Sequence, residues 1–307
     1  MKLLIVNYHY LRETKSGQGI YPTTSLELTT QIDLLAKKFK FISQAELLSF
    51  FSNKLYPDGN FCLLTFDDGL KEQLKAFNIL KAKKIPGIFF VSTLPLINNK
   101  ACAVHKFHYI MEQMSFEHLY DHILQIFPES IFQLNDLSFQ DLASRKYIYD
   151  SPKWANLKLY VNFFLDLKGK SLLVDKLFDL LESDEENFVE RLYMNEQEIV
   201  EIAQKGMLGS HCVTHEPLGK MSVLEIKKEL KESKNYLNKV SGEEIFSVSY
   251  PYGDKKAVTK SVLEISAEYY DLGITTQDGI NQNNELINQA LSLNRVSTSK
   301  IVRDIYI

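Results

Sequence analysis

Asp67 and Asp68 stand side by side in Thr65-Phe66-Asp67-Asp68-Gly69, directly after the apolar run Phe61-Cys62-Leu63-Leu64. The run reads as a buried strand, which puts both carboxylates at its C-terminal edge. Charge is costly there, because like-charged neighbours repel and burial raises carboxylate pKa values, so the pair calls for a cation or a fixed proton partner. Candidates lie much later, in Gly209-Ser210-His211-Cys212-Val213-Thr214-His215, where two histidines four apart again follow a short apolar segment. Together the two stretches give one metal site with a base beside it.

These residues also carry a resemblance. Thr65 to Gly69 resembles the first motif of the NodB-type polysaccharide deacetylases, carbohydrate esterase family 4, and His211 to His215 resembles the second, with Cys212 at its hydroxyl position. Tyr250-Pro251-Tyr252-Gly253 is similar to the third. The similarity covers 1 to 97 and 196 to 296 and leaves out a long middle stretch. It implies a divalent metal on Asp68, His211 and His215, with zinc, cobalt, iron or nickel suited to such ligands and zinc the first choice. It further implies Asp67 as the general base and Tyr252 as a backbone donor to an oxyanion, with Gly253 shaping the turn that lines the substrate groove. The sequence departs from the family at two places. Ser249 stands where an arginine often orients the base, and Arg295, in Leu293-Asn294-Arg295-Val296, is the expected substitute. No histidine follows His215 to act as general acid, and His9, at the end of the first strand, is the expected replacement.

Elements must bring these groups together. Met1-Lys2-Leu3-Leu4-Ile5-Val6 is too short an apolar run for a secretory or membrane segment and reads as the first strand. Capping boxes at Thr24-Ser25-Leu26-Glu27 and Ser43-Gln44-Ala45-Glu46 open helices, strands are expected at 61–66 and 87–92, and a helix at 70–83. The alternation resumes with a helix opened by Asn195, a strand at 207–210, a helix from Ser222 to about Val240, a strand at 245–250 and a last βα passage. Such α/β alternation implies a parallel sheet with its functional groups at the strand C-termini. The resemblance narrows this to a distorted (β/α) barrel of the polysaccharide deacetylase type with fewer than eight strands. Residues 1–97 and 195–307 are the expected halves of that barrel. Residues 98–194, amphipathic over 116–127, 154–167 and 171–182, are the expected helical insertion.

At 307 residues and 45% hydrophobic, the chain is long enough for one elaborated domain or for two. A net charge of −4 without a basic block argues against nucleic acid as a partner. Three cysteines without paired spacing point to a reducing compartment, and the cytoplasm is the expected location. His118 and His122 repeat the four-residue spacing but sit on an expected solvated helix with no strand-end carboxylate. His105, in His105-Lys106-Phe107-His108, is a candidate for substrate contact, with an ordinary surface loop as the alternative.

The expected function is a metal-dependent hydrolase that removes an acetyl or other small acyl group from an N-acylated amino sugar in surface polysaccharide or glycolipid biosynthesis. Its partner would be a small, lipid-linked or nucleotide-linked saccharide, with self-association left open. Deformylation of a lipid-linked formamido sugar, or glycan binding by an inactive relative, are the alternatives.

Overall fold

The computed structural model describes residues 1–14, 19–282 and 289–298. They fall into two compact units, one drawn from 1–14, 22–100, 189–282 and 289–298, the other from 19–21 and 101–188. Among its described residues the first unit contains nine strands in one sheet: β1 (Lys2–Tyr8), β2 (Lys40–Phe41), β3 (Asn60–Phe66), β4 (Gly87–Val91), β5 (Leu208–Ser210), β6 (Ser247–Ser249), β7 (Leu272–Ile274), β8 (Asn281–Gln282) and β9 (Val296–Ser297).

Six of them form a parallel run in the order β7-β6-β5-β4-β3-β1. β1 and β3 are paired along their whole length, from Lys2 opposite Asn60 to Tyr8 opposite Phe66. The stretch 293–297 meets both ends of the run, since Leu293 bridges to Ile274 of β7 and Val296 pairs with Val6 of β1. The sheet therefore curls into the expected distorted α/β barrel. The two-residue strands β2 and β8 are additions that a hydropathy pattern is too coarse to register.

The strand sequences are apolar on both faces because both faces are covered. Leu3, Ile5, Leu63, Ile88, Phe90, Leu272 and Ile274 turn one way into a cluster that includes Leu47 of the helix Gln44–Asn53. Leu4, Val6, Leu64, Phe66, Phe89 and Val91 turn the other way, onto Leu28, Ile32, Phe77, Leu80, Ile202 and Leu230 of the surrounding helices. Tyr8, Phe66 and Phe89 stack across three adjacent strands with centroids 5.0 and 4.5 Å apart. The two expected capping boxes are formed, at Thr24 with Glu27 and Ser43 with Glu46, and the helices that start at Asn195 and Ser222 carry the same box with Glu198 and Glu225. Cys62, Cys102 and Cys212 are buried, and none of them is in a disulfide.

Among its described residues the second unit has helices and no strand, including Ala103–Gln113, Phe116–Ile126, Leu137–Lys146, Pro152–Leu159 and Leu167–Asp179. The stripe expected at 154–167 is broken: the helix from Pro152 passes into a π-turn at Tyr160–Phe164, and Leu165 is extended. Asp166 is the reason, since its carboxylate accepts from the Gly169 amide at 2.7 Å and so starts a new helix. His118 and His122 lie on the helix Phe116–Ile126, as expected. Residues 103–113, where a surface loop was the alternative, are helical. Lys106 is nearly buried there, with its ammonium 2.7 Å from Asp175 and 2.8 Å from Glu185. No described helix is long and apolar enough to cross a membrane.

Candidate metal centre and base

Two strand ends and two loops build the site. β3 ends at Phe66, and Asp67 and Asp68 follow at once, 1% and 3% exposed. β5 ends at Ser210, and the loop after it carries His211 and His215, both buried. Because β3, β4 and β5 are parallel neighbours, their C-terminal ends open on the same side. One ligand atom each from Asp68, His211 and His215 lies within 4.8 Å of the others. Asp68 Oδ1 is 3.4 Å from His211 Nε2 and 3.1 Å from His215 Nε2.

The donor set fits a divalent cation. His211 Nδ1 lies 2.6 Å from the Ser249 carbonyl oxygen, an acceptor that fixes the proton on Nδ1 and leaves the Nε2 lone pair toward Asp68. Without a metal, burial pushes the His211 pKa down, but the Asp67 and Asp68 carboxylates more than reverse this and leave it raised. The site thus favours positive charge at its centre.

Asp67 is held apart from that cluster. Arg295 Nη1 donates to Oδ1 at 2.9 Å and Nη2 to Oδ2 at 2.5 Å, and Ser249 Oγ donates to Oδ2 at 3.2 Å. Burial pushes the Asp67 carboxyl up, yet Arg295, His211 and His9 outweigh it and hold the pKa below the usual value. Asp67 is accordingly an ionised acceptor. His9 follows β1, with its side chain 46% exposed and Nε2 3.9 Å from Asp67 Oδ2. Arg295 reaches the site from the 293–297 stretch that joins β7 to β1.

Tyr252 and Gly253 follow β6. Their carbonyls are tied to Thr276, whose Oγ1 donates to Tyr252 O at 2.6 Å and whose amide donates to Gly253 O at 2.9 Å. The Tyr252 ring lies 5.5 Å from that of His215. His105 belongs to the other unit, where its buried ring stands 6.2 Å from that of His108.

Backbone conformation marks the same place. Seven described non-glycine residues have positive φ; Lys54, Lys84 and Asn99 are the C-caps of helices, and the other four are Asp68, Cys212, His215 and Tyr252. Conformations that cost of order 1–3 kcal/mol persist only where the surroundings enforce them, and such outliers concentrate at functional sites. Gly69 continues the strained turn at φ +73°, where a Cβ would come within 2.9 Å of Val91 Cγ1.

Two contributors had no motif to announce them. Gln73, fully buried, donates from Nε2 to the carbonyl oxygens of His9 at 2.9 Å and of Asp67. Ser249, noticed in the sequence only for not being arginine, holds Asp67 by its hydroxyl and His211 by its carbonyl.

The polysaccharide deacetylase family profile matches residues 182–270, a span that includes both histidines and the Tyr250–Gly253 turn. No curated protein matches the sequence significantly. Among solved structures, the chain is similar to the Streptococcus pyogenes deacetylase PplD in complex with acetate, with 18% identity and a TM-score of 0.60 over 99% of this chain and 97% of that one. It is also similar to IcaB from Ammonifex degensii, with 16% identity and a TM-score of 0.56 over 96% and 91%. A de-N-acetylase from Aggregatibacter actinomycetemcomitans gives 11% identity and a TM-score of 0.57 over 99% of each chain. At these identities the likeness is one of fold.

Proposed function

We propose that this chain, which shares its fold with the polysaccharide deacetylases and its sequence with their family over residues 182–270, is a divalent-metal-dependent amide hydrolase. Its substrate would be an N-acylated amino sugar, from which it removes an acetyl or other small acyl group. The observation that carries this reading is the pairing of a three-ligand cluster, Asp68, His211 and His215, with a second, separately held carboxylate, Asp67. A structural metal site has no use for that extra buried charge, whereas amide hydrolysis needs a base next to the metal.

A divalent ion on the three ligands would acidify water and polarise the acyl carbonyl. Asp67 then accepts the proton of the attacking water, with Arg295 and Ser249 keeping it ionised and aimed. The backbone N–H of Tyr252 is the proposed donor to the developing oxyanion, in a turn whose strained φ the Thr276 hydrogen bonds maintain. His9 is the proposed acid, a reading supported by its half-exposed side chain and by the 3.9 Å between its Nε2 and Asp67 Oδ2. Zinc is the first choice of metal for an Asp-His-His set, with cobalt, iron and nickel as alternatives. Three cysteines outside any disulfide favour a reducing, intracellular setting and hence a small, nucleotide-linked or lipid-linked saccharide of surface-glycan or glycolipid assembly.

The test is incubation of metal-reconstituted protein with a panel of N-acetylated and N-formylated amino sugars, read by mass spectrometry. Loss of an acyl group that requires added metal supports the reading. Unchanged substrates across the panel, from protein shown to contain metal, would count against it.

A further inference from the structure

The loop that carries the two histidines has no regular structure of its own, and its shape is imposed from the helix Val223–Ser241. Glu229 on that helix is buried, 7% exposed, and its carboxylate faces the loop. Oε2 accepts from the amides of Val213 at 2.8 Å and Thr214 at 3.0 Å, while Oε1 accepts from Thr214 Oγ1 at 2.8 Å. One turn further along, Ser233 Oγ lies 2.8 Å from Ser210 Oγ, which accepts from the Cys212 amide at 3.3 Å. The His211 amide is bonded to the Val91 carbonyl at 2.9 Å. Every amide from His211 to Thr214 therefore has an assigned partner, and Glu229 supplies two of them.

We propose that Glu229 is the positioning residue of the metal-binding loop, setting the angle at which His211 and His215 face Asp68. The inference rests on the reading that those three residues hold a metal. Its physical basis is the pair of positive φ values, +61° at Cys212 and +60° at His215, that flank the amides Glu229 binds. Adjacent amides turned to the same side form a concavity that prefers an anion, and here a buried carboxylate of the same chain fills it. Without that anion the two amides and the Thr214 hydroxyl lose their acceptors, and the loop relaxes toward ordinary backbone angles that swing the imidazoles apart. Glutamine keeps the length of the side chain but replaces one acceptor oxygen with a donor, so it supports the loop only in part.

The test compares wild-type protein with Glu229→Ala, Glu229→Gln and Leu237→Ala. The last removes a fully buried side chain of the same helix and controls for general destabilisation. Zinc affinity is measured by competition with a chromophoric chelator, the visible spectrum is recorded after cobalt substitution, and hydrogen exchange of the Val213 and Thr214 amides is followed in metal-free protein. Zinc binding should weaken by about tenfold to a hundredfold in Glu229→Ala, as for other residues that orient ligands, and by less in Glu229→Gln. The cobalt spectrum should shift and the two amides should exchange faster, with affinity and spectrum unchanged in Leu237→Ala. If Glu229→Ala fails to fold, Glu229→Gln carries the same comparison. Wild-type affinity in both Glu229 variants, or an equal loss in Leu237→Ala, overturns the proposal and leaves the metal reading intact. Wild-type protein that takes up none of zinc, cobalt, iron and nickel overturns both.

Discussion

Arg295 and Asp67 are 228 residues apart in the chain, and the guanidinium of one grips both carboxylate oxygens of the other at 2.9 and 2.5 Å. Both side chains are almost wholly buried. A bidentate pair of this kind fixes orientation as well as charge, which is what a base acting beside a metal needs. It also leaves each partner dependent on the other. Removing one member of a buried pair strands the other charge, at a cost of about 3–5 kcal/mol. Arg295→Met should therefore lower unfolding free energy by about that amount in denaturant titration, and Arg295→Lys should recover little of it because a point charge does not reproduce the fork.

Asp67→Asn should separate the base from the ligands. The amide keeps the size of the side chain but accepts no proton, so metal content should stay at the wild-type level while turnover falls by about a hundredfold or more. Metal analysis and steady-state kinetics on one preparation check this. Loss of metal in parallel with turnover would mean that Asp67 is itself a ligand.

His9→Ala should discriminate by leaving group. An amine must be protonated to depart, whereas the alcohol of an activated ester need not be. Amide hydrolysis should fall severely and activated-ester hydrolysis should be spared, with metal retained. Equal loss on both substrates, or on neither, would remove His9 from the proposed acid role.

Lys106 provides a pH signature in the helical unit. Burial pushes its pKa down, but the hydrogen-bonded carboxylates of Asp175 and Glu185 outweigh burial and leave it raised. A group with a raised folded-state pKa contributes stability that is fully present below its unfolded value, about 10.4, and lost as pH rises through the folded one. Stability of the wild-type protein should fall across that alkaline window, and Lys106→Met should flatten the fall. Denaturant unfolding at successive alkaline pH values measures the difference.

Much of this site was legible because its residues come as patterns tied to strand ends. The apolar run before Asp67 and Asp68 predicted β3, the segment before His211 predicted β5, and parallel alternation then required the two ends to meet. Arg295 was accessible only through the resemblance, since nothing near it in the sequence signals a partner in β3. Gln73, Ser249 and Glu229 left no trace for a different reason: each is a single polar residue whose spacing to the motifs is set by the fold alone. The π-turn at Tyr160–Phe164 was hidden by an amphipathic stripe that runs across it, and only the cap formed by Asp166 shows why the stripe breaks. The partners of Lys106 could not be read from the residues around His105, because the carboxylates that hold it lie about 70 to 80 residues further on.

The central claim is that Asp68, His211 and His215 form one metal site, and metal stoichiometry after reconstitution tests it most directly. Wild-type protein should carry one divalent ion per chain, and His215→Ala should carry far less under the same conditions while remaining folded by circular dichroism. A full equivalent of metal in His215→Ala, or none in the wild-type protein, would contradict the account.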